Sequence, residues 1–285
     1  MTRTGWLIYS LKDAKTNQTF IDWFIEEAEK QNIDLTLIIR EYLQIGIVDN
    51  KRTILYEHQS IHEPDIAIVR TIEPLLNEVL EDFGIAVFNS AYISRICNDK
   101  ALTHIEVNKL EIPMVDTLFL RTYNVHEIPP IPYPFIVKST DGHGGKNVKL
   151  IQHTRDWDIY LNSKPTGNII IQTCDVQFGK DIRVFVVGKE IIGAVLRQSD
   201  KDFRANFTLG GTATWYNLSQ SERKIVQTII NHFDFGMVGI DFLIDKQNNI
   251  LFNEIEDVVG SRTLSKVSDI NLLEHYVTWI LRSLK

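Results

Sequence analysis

Three carboxylates near the C-terminus, Asp241, Glu254 and Glu256, have the type and spacing to hold a hard divalent cation. The stretch from Met237 to Ile255 reads as a hairpin turning through Lys246-Gln247-Asn248-Asn249. With that turn centred between Gln247 and Asn248, symmetric pairing sets Asp241 opposite Glu254, and the two-residue period of a strand puts Glu256 on the same face. Like charges facing each other across a strand pair are destabilising unless a cation joins them, and all-oxygen ligation suits magnesium, calcium or manganese over zinc. A solvated sheet face is the plain alternative for any acidic trio. Here the apolar Val238, Ile240, Phe242, Ile244, Leu251 and Ile255 are expected to pin the opposite face to a core, leaving the acidic face free to line a cleft.

A second constellation is the run Thr140-Asp141-Gly142-His143-Gly144-Gly145-Lys146, directly after a strand that ends in Lys138. Glycines there let backbone N–H groups approach a phosphate. The run fits neither the Walker A spacing nor the dinucleotide GxGxxG, so on its own it is equally a hairpin turn. A third group comprises Asp181-Ile182-Arg183, Arg197, Asp202-Phe203-Arg204-Ala205-Asn206 and Gly210-Gly211. Asp181 and Arg183 fall on one strand face, opposite Ile182 and Val184. Arginines hold phosphate through two donors at once, and Asn206 can meet a metal or a phosphate oxygen, although a single arginine is more often a surface ion pair. His143 could donate to a phosphate or simply be solvated, while His104, His153 and His232 have no partners at ligand spacing. Cys97 and Cys174 form no CxxC pair and read as small buried hydrophobes.

These residues need elements to position them. Apolar runs at Trp6–Tyr9, Leu35–Ile39, Ile66–Val69 and Ala86–Phe88 alternate with helical stripes, one through Phe20, Trp23, Phe24 and Ala28, another through Ile72, Leu75, Leu76, Val79 and Leu80. Such alternation predicts a parallel α/β sheet. Pro129, Pro130, Pro132 and Pro134 mark a loop. Beyond it the strands Phe135–Lys138, Val148–Ile151, Ile169–Gln172, Ile182–Val187 and Ile191–Leu196 follow too closely for crossover helices, so antiparallel pairing is expected. Ser219 and Glu222 form a capping box before a helix through Ile225, Val226, Ile229, Ile230 and Phe233, and Leu272, Leu273, Tyr276, Val277, Ile280 and Leu281 make the stripe of a last helix.

The 285 residues and 44% hydrophobic content suffice for two or three subdomains. With 30 Lys and Arg against 37 Asp and Glu, the net charge of -7 argues against nucleic acid as the main partner. No segment approaches the roughly 18 apolar residues of a membrane span, and the start lacks a signal-peptide core, so a reducing cytoplasm is the expected compartment and no membrane partner is expected.

The ordered set of motifs resembles the ATP-grasp superfamily, specifically its RimK-type carboxylate-amine ligases. It consists of Asn98-Asp99-Lys100 opening a helix, Pro134-Phe135-Ile136-Val137-Lys138, the glycine loop, Asp181-Ile182-Arg183, Asp202 to Asn206, Gly210-Gly211, Gly239-Ile240-Asp241 and Asn253-Glu254-Ile255-Glu256, over roughly residues 93 to 265. The resemblance implies an α/β (α+β) ATP-grasp fold: an N-terminal Rossmann-like domain over residues 1–92, a central lobe over 93–174 and a C-terminal metal-bearing lobe over 175–285. It implies ATP and Mg2+ (or Mn2+) as cofactors, with Lys100, Lys138 and the backbone of Gly142, Gly144 and Gly145 on phosphates. The adenine edge would meet the backbone of Gln172, Thr173 and Cys174, and Asp181 would contact the nucleotide. Arg204 and Asn206 would reach the terminal phosphates; Asp241, Glu254 and Glu256 would carry the metal; Arg183 would stabilise an acylphosphate. Arg197 and Arg262 are the candidates for gripping the substrate. The implied partners are a small-molecule, peptide or carrier-protein carboxylate and a nucleophile, an amine or a thiol, with a homo-oligomer left open. An ATP-grasp kinase and a non-catalytic ATP-binding regulator are the rival readings. Two departures stand out: Glu256 replaces the family's usual Asn, and Asp257-Val258-Val259-Gly260-Ser261-Arg262 replaces a common Ser-Pro-Gly segment, which leaves the substrate's identity open.

Overall fold

The computed structural model describes residues 2–122, 125, 127–142, 144–145, 147–205 and 211–284. The chain begins with β1 (Arg3–Tyr9), two helices, α1 (Leu11–Thr16) and α2 (Gln18–Lys30), and β2 (Ile33–Ile39). The run Trp6-Leu7-Ile8-Tyr9 is buried on both faces, as a central parallel strand requires. Trp6 and Ile8 pack with one apolar cluster, whereas Leu7 and Tyr9 point to the other side, where Ile21, Phe24 and Ala28 of α2 cover the sheet. A three-stranded antiparallel excursion follows, β3 (Leu43–Val48), β4 (Lys51–Tyr56) and β5 (Gln59–Ser60), which the sequence reading does not contain. The chain returns through β6 (Ile66–Val69), α3 (Pro74–Asp82) and β7 (Ala86–Phe88). The sheet order β2-β1-β6-β7 is parallel throughout. Only part of the expected stripe is buried: Leu76 and Leu80 of α3 reach the core, but Leu75 is exposed, as is Ile72 ahead of the helix.

Two helices, α4 (Ala91–Cys97) and α5 (Lys100–Asn108), are capped by Ser90 and Asp99. The expected boundary at 92/93 falls inside α4; Ile93, Ile96, Cys97 and Val107 pack into the core of the C-terminal sheet. Next come β8 (Thr117–Arg121), β9 (Phe135–Ser139), β10 (Val148–Ile151), α6 (Thr154–Asn162) and β11 (Asn168–Thr173). Their antiparallel sheet, ordered β10-β9-β11-β8, has its own core around Phe135, Val137, Trp157, Ile169 and Ile171.

The third part comprises β12 (Val176–Val187), β13 (Glu190–Gln198), β14 (Thr212–Trp215), α7 (Gln220–His232), β15 (Met237–Asp245), β16 (Ile250–Glu256), α8 (Arg262–Val267) and α9 (Leu272–Ser283). Its sheet runs β14-β13-β12-β15-β16, antiparallel. The expected capping box holds: Ser219 Oγ accepts from Glu222 N–H while the Glu222 carboxylate accepts from Ser219 N–H. Helix α9 buries Leu272, Leu273, Tyr276, Val277 and Ile280 in the cluster that also contains Leu7 and Phe24, so it lies against the N-terminal domain as well as β12. No helix among the described residues is long and apolar enough to cross a membrane.

Candidate active site

The hairpin of β15 and β16 brings the acidic residues together, by a route more specific than simple symmetry. Next to the turn, Ile244 pairs with Ile250, Leu243 with Leu251 and Phe242 with Phe252, a register one residue short of the symmetric one. Asp245 sets this turn by accepting from the N–H groups of Gln247 and Asn249. A bulge then shifts the register between Asp241 and Phe242, and from there Asp241 faces Glu254 and Gly239 faces Glu256. One extra residue, Asn253, is thereby inserted on β16, and its side chain faces the cleft beside Glu254. Val238, Ile240, Phe242, Ile244 and Ile255 bury into the core as expected, but Leu251 does not; the register pairs it with Leu243, whose side chain lines the cleft.

Each acidic side chain has a cationic partner. Asp241 is 1% exposed and accepts two 2.7 Å bonds from Arg183 and a third, also 2.7 Å, from Arg197. Arg183 reaches Glu256 at 2.7 Å with its remaining nitrogen. Arg197 is enclosed, with two bonds to Asp181, so its guanidinium binds the sheet's own carboxylates and faces neither of the cavities described below. Lys100 lies 3.3 Å from Glu254 and donates to the carbonyl of Gly142. Burial opposes ionisation of Glu254 and Asp241, but the cations around each together outweigh it, Lys100 with Lys138 and Arg183 at Glu254 and Arg183 with Arg197 at Asp241, and hold both carboxyls below their ordinary range. Glu256 goes the other way: burial, with Asp241 and Glu254 nearby, raises its pKa against the pull of Arg183.

The cleft lies between the central and C-terminal sheets. Ile136, Val148, Val176 and Leu243 form an apolar part, contributed by both sheets. Lys100, Lys138, Arg204, Glu254 and Glu256 form a charged part, together with Gly142, Gly144 and Gly145. Gly144 and Gly145 have φ of 63° and 72°, left-handed conformations that favour glycine. Arg204 ties that loop to the opposite sheet, donating to the Gly145 carbonyl at 2.7 Å while its other nitrogens hold Asp202. Lys138 donates to Asn253 Oδ1 at 2.9 Å, and burial lowers its ammonium to about 8, with Lys100 adding to the shift and Glu254 opposing it. Gln172, Thr173 and Asp181 also line the cleft. Cys174, half-buried, lies between β11 and β12, where its carbonyl accepts from Val176 N–H. Asn206 and Gly210 lie outside the described residues, as do His143 and Lys146.

One cleft residue, and another buried behind it, escaped the sequence reading. Asn253 had no role there because only the bulge turns it toward Lys138. His104, 1% exposed, donates from Nε2 to the Asn253 carbonyl at 2.8 Å, and burial lowers its pKa to about 4, so it is a neutral post for the bulge. Nothing in local sequence marks such a long-range contact. Arg262 lies apart from the cleft, in a second cavity that also holds Arg70 and touches the first through Glu256.

One oxygen each from Asp241, Glu254 and Glu256 lies within 4.8 Å of the others, an all-carboxylate set that suits a hard cation such as magnesium; Glu254 and Glu256 line the cleft, while Asp241 lies behind them in its arginine bonds.

Residues 97–280, more than half of the chain, match the RimK-like ATP-grasp domain, and the chain belongs to that family of ATP-grasp ligases. It is 25% identical over 289 residues to the uncharacterized protein MG011 of Mycoplasma genitalium, covering 99% of this chain and 94% of that one. It is 25% identical over 256 residues to the glutamate–LysW ligase ArgX of Sulfurisphaera tokodaii, covering 84% and 89%. Among solved structures, the VanG D-Ala:D-Ser ligase of Enterococcus faecalis superposes with a TM-score of 0.78 over the whole of both chains at 14% identity, a likeness of fold.

Proposed function

We propose that the protein is an ATP-dependent carboxylate-amine ligase that works through an acylphosphate and releases ADP and phosphate. The observation that carries this reading is the meeting, in one cleft, of Lys100, Lys138 and Arg204 with Glu254, Glu256 and a glycine turn. Lys100, Lys138 and the loop glycines hold the ATP phosphates, the apolar part takes the adenine, and Gln172, Thr173 and Cys174 offer backbone to its edge. Arg204 and Asn206 reach the terminal phosphates. Asp241, Glu254 and Glu256 hold Mg2+, which neutralises charge on the phosphate oxygens when bound. A substrate carboxylate oxygen attacks the γ-phosphorus and ADP departs; an amine then attacks the acyl carbon and phosphate departs. Arg183, anchored on Asp241 and Glu256, adds positive charge beside the transferring group. The carboxylate is a small molecule, a peptide or a carrier protein, the last in line with the similarity to a ligase acting on LysW.

Hydroxylamine tests the acylphosphate. With the true carboxylate, ATP and magnesium, the expected product is a hydroxamate formed alongside ADP. A stable phosphate ester without hydroxamate would make the protein a kinase, and ATP binding with no ADP release over a broad carboxylate panel would make it a regulator.

The Lys138 reading has its own signature in pH. Its ammonium titrates near 8 in the free protein, and only the charged form attracts phosphate. ATP affinity should therefore be flat below about pH 8 and fall above it, by a total set by what the Lys138 charge contributes to binding, because binding must then take up a proton. Lys138→Ala should remove that slope and cost about tenfold or more in affinity at pH 7, as expected for a charge-assisted contact. Calorimetric titration between pH 7 and 9.5 checks both, and a flat wild-type profile would exclude Lys138 from the phosphate site.

A further inference from the structure

Lys138 carries its ammonium on a flexible four-carbon stem, so the group settles on whatever acceptor is held in place beside it. Among the described residues that acceptor is not a carboxylate. Lys138 forms no ion pair there and donates to Asn253 Oδ1 at 2.9 Å, whereas Lys100 lies 3.3 Å from Glu254. The atom facing Lys138 has to be the amide oxygen, because an ammonium can only donate. An amide oxygen fixes the direction of the ammonium without neutralising it. Of these two lysines in the cleft, one is therefore matched to a carboxylate and the other keeps its full charge.

Asn253 is itself held from outside the sheet. β16 is an edge strand, and the bulge interrupts its ladder with β15 at this residue. On the outer edge, Phe252 N–H donates to the Pro113 carbonyl at 2.8 Å, and His104 Nε2 donates to the Asn253 carbonyl at 2.8 Å. The His104 ring also stands edge-on to Phe252, with 5.4 Å between centres. Lys100 opens α5 and His104 lies one turn further along it, so one buried helix face meets two successive residues of β16: Lys100 takes Glu254 and His104 takes Asn253.

We infer that Asn253 is a positioning residue for ATP: its amide oxygen keeps the Lys138 ammonium off Glu254 and available to the phosphates, and His104 sets the Asn253 backbone that allows this. The assignment rests on the reading that Lys138 meets the ATP phosphates. Without the amide, the strongest attractor left for the ammonium is Glu254, the charge that acts on Lys138 most. An ion pair between them would occupy a phosphate contact and a metal carboxylate at once.

Calorimetric titration of ATP with magnesium into the wild type, Asn253→Ala, Lys138→Ala and the double variant tests the assignment. Asn253→Ala should weaken ATP roughly three- to tenfold, the scale of one hydrogen bond. With Lys138 already alanine, the same change should cost less than about twofold, because it acts through that lysine. A merely structural Asn253 would weaken ATP by one factor in both backgrounds. His104→Gln keeps an amide donor and should stay within about twofold of the wild type, whereas His104→Phe keeps a ring against Phe252, cannot donate, and should weaken ATP about as much as Asn253→Ala. Should His104→Phe fail to fold, the cycle of Asn253 with Lys138 decides alone. Wild-type affinity in Asn253→Ala, or equal factors in the two backgrounds, overturns the inference and leaves Lys138 at the phosphates; wild-type affinity in Lys138→Ala overturns both.

Discussion

Glu254→Gln should reduce ADP release by a factor on the order of 10³, the scale seen when a group that organises charge on a transferring center is removed. Glu254 is the carboxylate that faces the cleft between Lys100 and Lys138, so its neutral isostere keeps the shape and loses the charge. Metal-free ATP should bind at least as well as to the wild type, because both lysines are released toward the phosphates. Viewed as a bare cluster of like charges, the acidic trio would gain stability from the change. The ion pairs invert that sign: with Lys100 left uncompensated, a slightly lower melting temperature is expected. Retained turnover at ordinary magnesium concentration would remove Glu254 from the proposed metal site.

Arg183→Ala should be the most destabilising single change in the site. Asp241 is fully buried and takes two of its three guanidinium bonds from Arg183, and Glu256 takes its close contact from the same side chain. Removing one partner of a buried pair leaves a charge without compensation, at about 3–5 kcal/mol. Urea unfolding should show a lower midpoint at unchanged slope. The double variant with Asp241→Asn should lose less than the sum of the two single changes, since the second removes the stranded charge. An unchanged midpoint for Arg183→Ala would mean that Arg197 alone can hold Asp241.

Much of the site was legible because strands convert sequence spacing into geometry. The meeting of Asp241 with Glu254 was expected from a symmetric turn and a period of two, and it holds because the bulge offsets a turn one residue out of that symmetry; the cores under β12 and β15 followed from apolar residues at alternate positions. The same rule failed where a local device intervened. The register beside the turn pairs Leu251 with Leu243 instead of setting it in the core, and no residue type near Asn253 announces a bulge. The excursion of β3 to β5 stayed invisible because its turns use Asp49-Asn50 and Glu57-His58 in left-handed conformations, with no glycine to mark them. Tyr9, Arg70 and Asp257 come together only through the packing of the N-terminal sheet on the C-terminal lobe, so spacing along the chain held no trace of their cavity.

Helix α9 has a consequence for how the protein comes into being. The N-terminal core is completed by Leu272, Leu273, Tyr276 and Ile280, and Gln31 Nε2 donates to the Glu274 carbonyl across 243 residues of chain. At roughly 5–20 residues per second, the first α/β unit waits on the order of ten seconds to a minute after leaving the ribosome before that half of its core exists. Until then the side of α2 that meets α9 has no cover, and the newborn chain is open there to chaperones, proteases and neighbouring copies. A helix far downstream in the chain is the one that closes the first domain.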